Sequence, residues 1–548
     1  MVEELSQFAN ICLTITSRIT IIPPNCETVD IPVLSMEAAC NVFHRIYKHG
    51  GREDSINDIL KQLDFHPLSI TLLATVAHQN KWDRNRLARE WERRHISVLR
   101  TEHNESLGST LELSLASPMF KQLGPDAREL LGVVAFFPQG VNEDHLDWLF
   151  PTISDVSVIL DKFCVLSLTY RSNGFITMLV PLRDYLCPKD PLSSPLLRVT
   201  KESYFTRMST RSNPLVPGSK ETEWIKSEDG NVEHLLNVLT SIDPKSDSVW
   251  RACANFMNLL YWNKGRKTVL GPKIEQLPDD YCLKPECMLW LGWLFDSVGD
   301  FAKEKRLFEH ALKLERERGG GNRVALTLNE LSDANRLLGL HEEGIHQAQE
   351  ALEIYTQIGD AAGQGYSLIQ LAWALYDDRQ LNAAEEATFR AIPLLGEGQE
   401  FLVCKCHRIL GEVYRSKGQR EKSILHCETA LEIASRFDWG HQLYWIHYSL
   451  AEMFRDEDQF NNAHAHIEKA KFHAAAHTAH YLGRVVELQA QVYYRQQRFE
   501  EAKFEALRAL EIYEKLGALG DVENCSALLQ RIERTTKSRD TLLVSSYE

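Results

Sequence analysis

The sequence predicts a mainly α-helical protein whose C-terminal half is a solenoid of repeated helix pairs. Two periodic marks carry that prediction. The first is an alanine with an apolar neighbour, at Ala311-Leu312, Ala351-Leu352, Ala391-Ile392, Ala430-Leu431 and Ala509-Leu510, with Ala470-Lys471 as the exception. The alanines return every 39 or 40 residues. The second stands twenty positions ahead of each alanine: Leu291, Leu331, Leu371, Leu410 and Leu450, with Gln489 breaking the rule. The residue after it is small every time: Gly292, Ser332, Ala372, Gly411, Ala451 and Ala490. Helix axes ~8–10 Å apart leave no room for a long side chain at the crossing, which accounts for the small residue. Between the marks, a polar turn leads to Phe301, His341, Leu381, Arg420, Phe460 and Phe499.

One such unit cannot bury its own faces, so neighbouring units must stack, leaving an extended concave surface. The expected solenoid runs over residues 284–535 as about six repeats of ~40 residues, with residues 536–548 as a flexible tail. Breakers stand between repeats at Gly319-Gly320-Gly321, Gly359-Asp360, Gly396-Glu397-Gly398 and Gly517-Ala518. The pattern resembles the tetratricopeptide family. Leu410-Gly411-x-x-Tyr414 with Gly418 and Ala430-Leu431 is the clearest copy, and Gln497-x-Phe499-x-x-Ala502 matches its middle portion. The period exceeds the usual ~34 residues, so each helix is expected to be nearly a turn longer. The resemblance implies a protein or peptide ligand on the concave surface.

A chain of 548 residues has room for three or four units at roughly 100–200 residues each. Its 44% hydrophobic and 25% charged residues are ordinary for globular protein. A net charge of −15 argues against nucleic acid or anionic membrane as a partner, both being polyanions. The twelve cysteines are scattered, and Cys404 and Cys406 stand one residue too close for a Cys-x-x-Cys motif, so free thiols in a reducing compartment are expected. Glu3 and Glu4 follow Met1 and the apolar run at Ile11–Ile15 is short, so no signal peptide is read. Leu130–Phe137 falls far short of the ~20 residues of a membrane span. A cytoplasmic protein is expected.

The N-terminal part reads differently. Ile11–Ile15 is a candidate buried strand ending in Thr16-Ser17-Arg18. Helices are expected at 35–49 and 52–63, and a third from Pro67-Leu68 through His78, where proline suits the first turn because its missing N–H has no partner there. Three more are expected at 126–136, 143–150 and 154–163. Strands at 165–171 and 175–179 then flank Ser172-Asn173-Gly174, a strong hairpin signal. Between the halves, residues 231–239 and 249–263 show helical periodicity.

A strand ending Thr-Ser-Arg, followed some fifty residues on by Pro-Leu at a helix start, resembles the second half of an NB-ARC module, the nucleotide-binding domain of STAND signalling ATPases. The resemblance implies that Arg18 matches the sensor arginine and that Pro67 and Leu68 match the motif packing on adenine, with Phe65 and His66 departing from it. It also implies a winged helix from the three later helices and the hairpin. Where the family has Met-His-Asp, this chain has Met178-Leu179-Val180, and leucine cannot donate to a diphosphate. The whole order is similar to fungal NLR-type proteins. The organisation implied is an NB-ARC remnant at 1–120, a winged helix at 121–190, a helical connector at 191–283 and then the solenoid.

No Gly-x-x-x-x-Gly-Lys-Ser/Thr occurs, so nothing cradles the β- and γ-phosphates. The reading is of a chain that begins inside the ATPase core. It is expected to be no enzyme, to need no cofactor and to retain at most a vestigial ADP or ATP site at Arg18, Pro67 and Leu68. Asp155 and Asp161 beside the lone Lys162 make the third of the later helices a poor DNA reader. His473, His477 and His480, at helical spacing, are read as surface histidines rather than metal ligands. The expected function is a non-catalytic STAND/NLR-like interaction and signalling protein. A plain scaffold with a vestigial N-terminal cap and a repeat-containing transcription regulator remain as alternatives.

Overall fold

The computed structural model describes residues 34–47, 54–63, 65, 67–79, 81–83, 86–89, 91, 115, 118–166, 168–188, 190, 193–209, 224–263, 266–516 and 518–545. It divides into two units, Met1–Arg207 with Gly230–Leu235, and Met208–Asp229 with Leu236–Glu548.

In the first unit, α1 (Met36–Ile46), α2 (Asp54–Gln62) and α3 (Pro67–Gln79) share a core that includes Phe43, Tyr47, Leu60, Ile70 and Leu73. The Ser35 hydroxyl caps α1 by accepting from the Ala38 N–H at 3.2 Å. Phe65 turns the chain with a φ of 54°, and Pro67 opens α3 as predicted. After α4 (Pro118–Lys121), the apolar helix α5 (Asp126–Phe136) is buried along most of its length. Next come β1 (Val141–Asn142), α6 (Leu146–Leu149), α7 (Val156–Val165), β2 (Tyr170–Ser172), β3 (Phe175–Thr177), α8 (Val180–Leu186) and α9 (Pro195–Ser209). The strands form an antiparallel sheet in the order β1-β3-β2. Asn173 and Gly174 both have positive φ, 51° and 79°, as the two-residue hairpin requires.

One expectation in this stretch changes. The strand expected from 165 shortens to Tyr170–Ser172, because the Leu166 and Leu168 N–H groups bond back to the Lys162 and Phe163 carbonyls and prolong the end of α7. Helix α9 lies within the expected helical connector, in a stretch where no particular helix was singled out. Ser194 caps it, its hydroxyl accepting from Leu197 N–H at 3.2 Å, and Thr200, Tyr204 and Met208 bury one face.

Helix α10 (Ile225–Ile242) belongs in part to each unit. The second unit continues with α11 (Asp247–Asn263) and α12 (Gly271–Glu275) and then becomes an α-solenoid of tetratricopeptide-type repeats. Six helix pairs follow in order: α13 (Lys284–Asp296) with α14 (Phe301–Arg318), α15 (Gly321–Leu337) with α16 (His341–Ile358), and α17 (Ala361–Asp377) with α18 (Leu381–Ala391). The series continues with α19 (Glu400–Ser416) and α20 (Arg420–Arg436), α21 (Gly440–Asp456) and α22 (Phe460–His477), and α23 (Ala479–Arg495) and α24 (Phe499–Leu516).

The small residue after each leucine lies at the crossing inside a pair. A Cβ on Gly292 would stand 2.3 Å from the Phe308 ring, and one on Gly411 would stand 2.6 Å from Cys427 Sγ. Ser332 uses the closeness differently, its hydroxyl donating to the Gly344 carbonyl at 2.7 Å. Eight residues beyond the leucine position, every pair turns through a left-handed residue. Glycine serves at Gly299, Gly339 and Gly418, whereas Arg379, Asp458 and Gln497 take φ of 64°, 57° and 62°. A side chain in that region costs ~1–2 kcal/mol, partly offset by glycine's larger unfolded entropy. Arg379 is exposed. Arg379→Gly is therefore expected to stabilise the array by about 0.5–1 kcal/mol in urea titration. A lower midpoint would show that the arginine side chain matters more than its backbone.

The last helix, α25 (Leu519–Ser545), corrects the tail expected at 536–548: helix continues through residue 545. Cys525, Leu528 and Ile532 bury one face beside α24, and no glycine or proline follows to stop the helix.

Candidate binding cavity

The leucine position also orders a second stripe on the first helix of each pair. Residues five and two before it, and two and five after it, are spaced 3, 4 and 3 apart and therefore share one face. In α19 these are Lys405, Arg408, Glu412 and Arg415; in α21 they are Trp445, Tyr448, Glu452 and Arg455. The same positions supply Trp293 and Asp296 on α13, Asp333 and Arg336 on α15, Tyr366, Trp373 and Tyr376 on α17, and Arg484 on α23.

The array curls until its beginning meets its later repeats. The Trp262 ring lies 5.6 Å from Phe401 and 5.9 Å from His441, and Phe301 lies 6.2 Å from His480. The stripe then faces an interior cavity of about 310 Å³. A narrower pocket of about 50 Å³ adjoins it, sharing Tyr261, Asp296, Asp333 and Lys405.

The narrow pocket is rich in acids and rings. Glu330 accepts from Trp293 Nε1 at 2.5 Å and from the Tyr366 hydroxyl at 2.7 Å. Burial nevertheless raises its pKa to about 7, outweighing those two bonds. Asp296 is likewise raised to about 7, by burial and then by Asp333. Glu304, 3% exposed, is pushed up by burial, and its Oε2 has no hydrogen-bond partner. Burial also pushes Asp333 upward, but Arg336 and Lys405 outweigh it and hold that carboxyl below its usual value.

The wide cavity holds cations against aromatic faces. The Arg408 guanidinium lies 4.6 Å from the Trp373 ring centroid and 5.3 Å from Trp445, and its Nε has no hydrogen-bond partner. Arg484 lies 4.9 Å from Trp445 and 5.5 Å from Tyr448. The Lys405 ammonium stands over Phe401 and Tyr366, and burial lowers its pKa. Among the described residues, none of these three cations has a carboxylate within 4.0 Å. Other cations of the stripe are paired from repeat to repeat. Arg336 binds Asp333 at 2.7 Å and Asp377 at 2.8 Å, and Arg415 binds Glu412 at 2.8 Å and Asp456 at 2.9 Å.

The residues named from the sequence lie elsewhere. Arg18 lies outside the described residues; Pro67 is exposed at the start of α3; Leu68 is in α3, its side chain outside the described residues. His473 stacks on His447, which faces His466 at 3.1 Å, whereas His480 Nε2 meets Asp521 at 2.8 Å. The side chain of His477 lies outside the described residues. Among the described residues no group of three His, Cys, Asp or Glu is placed to hold a metal ion. No helix among them is long and apolar enough to cross a membrane. Sequence reasoning fixed on the leucine and its small neighbour and passed over the charged and aromatic stripe beside them. The signal was there in Trp293 and Trp373, both two residues after the leucine position, and in Trp445, seven positions earlier on the same face.

No family model matches this sequence, and no curated protein matches it. Solved structures resemble it at low identity. A STAND protein with a tetratricopeptide repeat sensor from Pyrococcus horikoshii is 14% identical, with a TM-score of 0.42, over 96% of this chain and 76% of that one. A Rap protein complexed with competence and sporulation factor is 12% identical, with a TM-score of 0.40, over 62% of this chain and 99% of the other. The quorum sensor NprR from B. thuringiensis is 11% identical, with a TM-score of 0.34, over 61% and 98%.

Proposed function

We propose that this chain is a non-catalytic protein–protein interaction and signalling protein of STAND/NLR-like organisation, whose solenoid interior receives a protein or peptide ligand. The observation that carries the reading is the set of unpaired cations held on tryptophan and tyrosine faces inside the cavity. Such groups cost stability when desolvated without partners, and a ligand that supplies partners recovers it. The signalling part is supported by the order of elements: a helical N-terminal region, a hairpin at Asn173-Gly174, then the array. The sequence holds no phosphate-binding loop, so ATP hydrolysis by this chain is not expected.

The test is a double substitution, Trp373→Ala with Trp445→Ala, which strips the ring faces from Arg408. Affinity for a protein ligand is expected to fall at least about tenfold, since buried aromatic anchors carry most binding energy. The control Phe472→Ala with Phe504→Ala changes rings that are 75% and 61% exposed and should leave affinity unchanged. The opposite pattern would place the interface outside the cavity. Calorimetric titration with ATP and with ADP is expected to show no binding. Micromolar binding of either would overturn the reading of a lost nucleotide site, and release of phosphate from bound ATP would overturn the non-catalytic assignment.

A further inference from the structure

The ionisable groups of the interior that lack an ion-pair partner come from different helices according to sign, although Lys405 lines the acid pocket as well as the wide cavity. Asp296, Glu304 and Glu330 come from α13, α14 and α15, whereas Lys405, Arg408 and Arg484 come from α19 and α23. The two sets do not satisfy each other, for no ion pair within 4.0 Å joins any of these acids to any of these cations among the described residues. The acid set is walled mainly by rings, among them Tyr261, Trp290, Trp293 and Phe401, with Lys405 at its border and Asp333 as a further acid. The Asp296 carboxylate has no hydrogen-bond or ion-pair partner among the described residues, and Glu304 Oε2 has none either. An ammonium or guanidinium group answers both features: its N–H groups donate to the carboxylates, and its charge is attracted to the ring faces. On the cation side an anionic group is wanted. Arg408 Nε in particular is a buried donor without an acceptor.

A simple amine would leave Arg408 Nε unsatisfied, and a simple anion would leave Glu304 Oε2 unsatisfied. A ligand of both signs answers the whole cavity. Its volume, about 310 Å³ with the adjoining 50 Å³, suits a short segment rather than a folded surface. Resting on the reading of the cavity as the ligand site, we propose that the ligand is a peptide segment carrying a lysine or arginine close to an acidic group. The cationic side chain enters the acid pocket of Asp296, Glu304 and Glu330, and the anionic group lies on Arg408 and Arg484.

Selection of a random-sequence peptide library on the full-length chain tests this, because a random library presupposes no particular ligand. The expected binders are enriched in Lys or Arg together with Asp or Glu, and bind the chain stoichiometrically in fluorescence anisotropy. Against Asp296→Asn with Glu330→Gln, a selected peptide is expected to lose at least about tenfold in affinity, and its lysine-to-norleucine analogue to lose no more. Against Arg408→Gln with Arg484→Gln, the same holds for the peptide and its acid-to-amide analogue. Circular dichroism melts of both variants separate misfolding from lost recognition, and the analogue peptides on the unaltered chain give the same comparison with no variant at all. Binders that bear no charge preference, yet are lost with Trp373→Ala and Trp445→Ala, would overturn the two-charge ligand while leaving the cavity as a peptide site. No binders at all would overturn both.

Discussion

Replacing Glu330 with glutamine is expected to stabilise the array at pH 8 by about 2 kcal/mol and to have little effect at pH 4. An acid that titrates near 4.5 in the unfolded chain and near 7 in the folded one keeps its full contribution below the lower value. That contribution is lost as pH rises through the folded value, at about 1.4 kcal/mol per tenfold. The full difference comes to ~3 kcal/mol, and relaxation of the coupled Asp296 and Asp333 reduces it. Glutamine keeps the bond from Trp293 Nε1 on its oxygen and reverses the other, its amide donating to the Tyr366 hydroxyl. Urea titrations of the two proteins at the two pH values check this. A destabilised variant at pH 8, or an equal effect at both, would show that the carboxylate is not desolvated. A buried acid that costs stability at neutral pH is what a site kept for a ligand looks like.

Gly140→Ala is expected to destabilise the first unit by about 3 kcal/mol or more. Gly140 has a φ of 79°, and a Cβ there would stand 2.2 Å from the Ile176 carbonyl oxygen and 2.7 Å from Thr177 Cα. Neither is the movable end of a side chain; both belong to β3. The left-handed conformation adds ~1–2 kcal/mol and the overlap ~1–3 kcal/mol. The displacement would also break the bond that Asn231 Nδ2 donates to the Gly140 carbonyl at 2.9 Å. Gly174→Ala provides the comparison, with the same φ of 79° and nothing within 4 Å of its Cβ. It should cost only the conformational share, about 1–2 kcal/mol. Equal losses from the two substitutions, read from the first unit's unfolding transition, would contradict the role given to the close approach.

These two sites also mark how far the sequence could be read. The repeat was legible because crossing helices accept little more than Gly292, Ser332 or Ala372, and that demand recurs at fixed spacing. The turns were only half legible: Gly299, Gly339 and Gly418 announce left-handed backbone, but Arg379, Asp458 and Gln497 adopt it without a glycine to signal it. Helix α9 was not singled out within the helical connector because Thr200, Tyr204 and Met208 make a mixed buried face with weak apolar periodicity. The cavity was not legible as such. Arg408 and Asp296 read in one dimension as residues of a solvated face, and only the curl that brings Trp262 to Phe401 and Phe301 to His480 encloses them. Curvature is the sum of small rotations between repeats, and no single residue encodes it.

A ligand held in the interior of the array must lie against the first helices of the pairs. Photo-crosslinking locates the ligand directly, using a selected peptide with a benzophenone side chain and mass-spectrometric mapping of the adducts on the full chain. Adducts confined to the first helices of the pairs, on the stripe of Trp373, Lys405, Trp445 and Arg484, are the predicted result. Adducts on the exposed second-helix residues Phe472 and Phe504, or in the Met1–Arg207 unit, would contradict it.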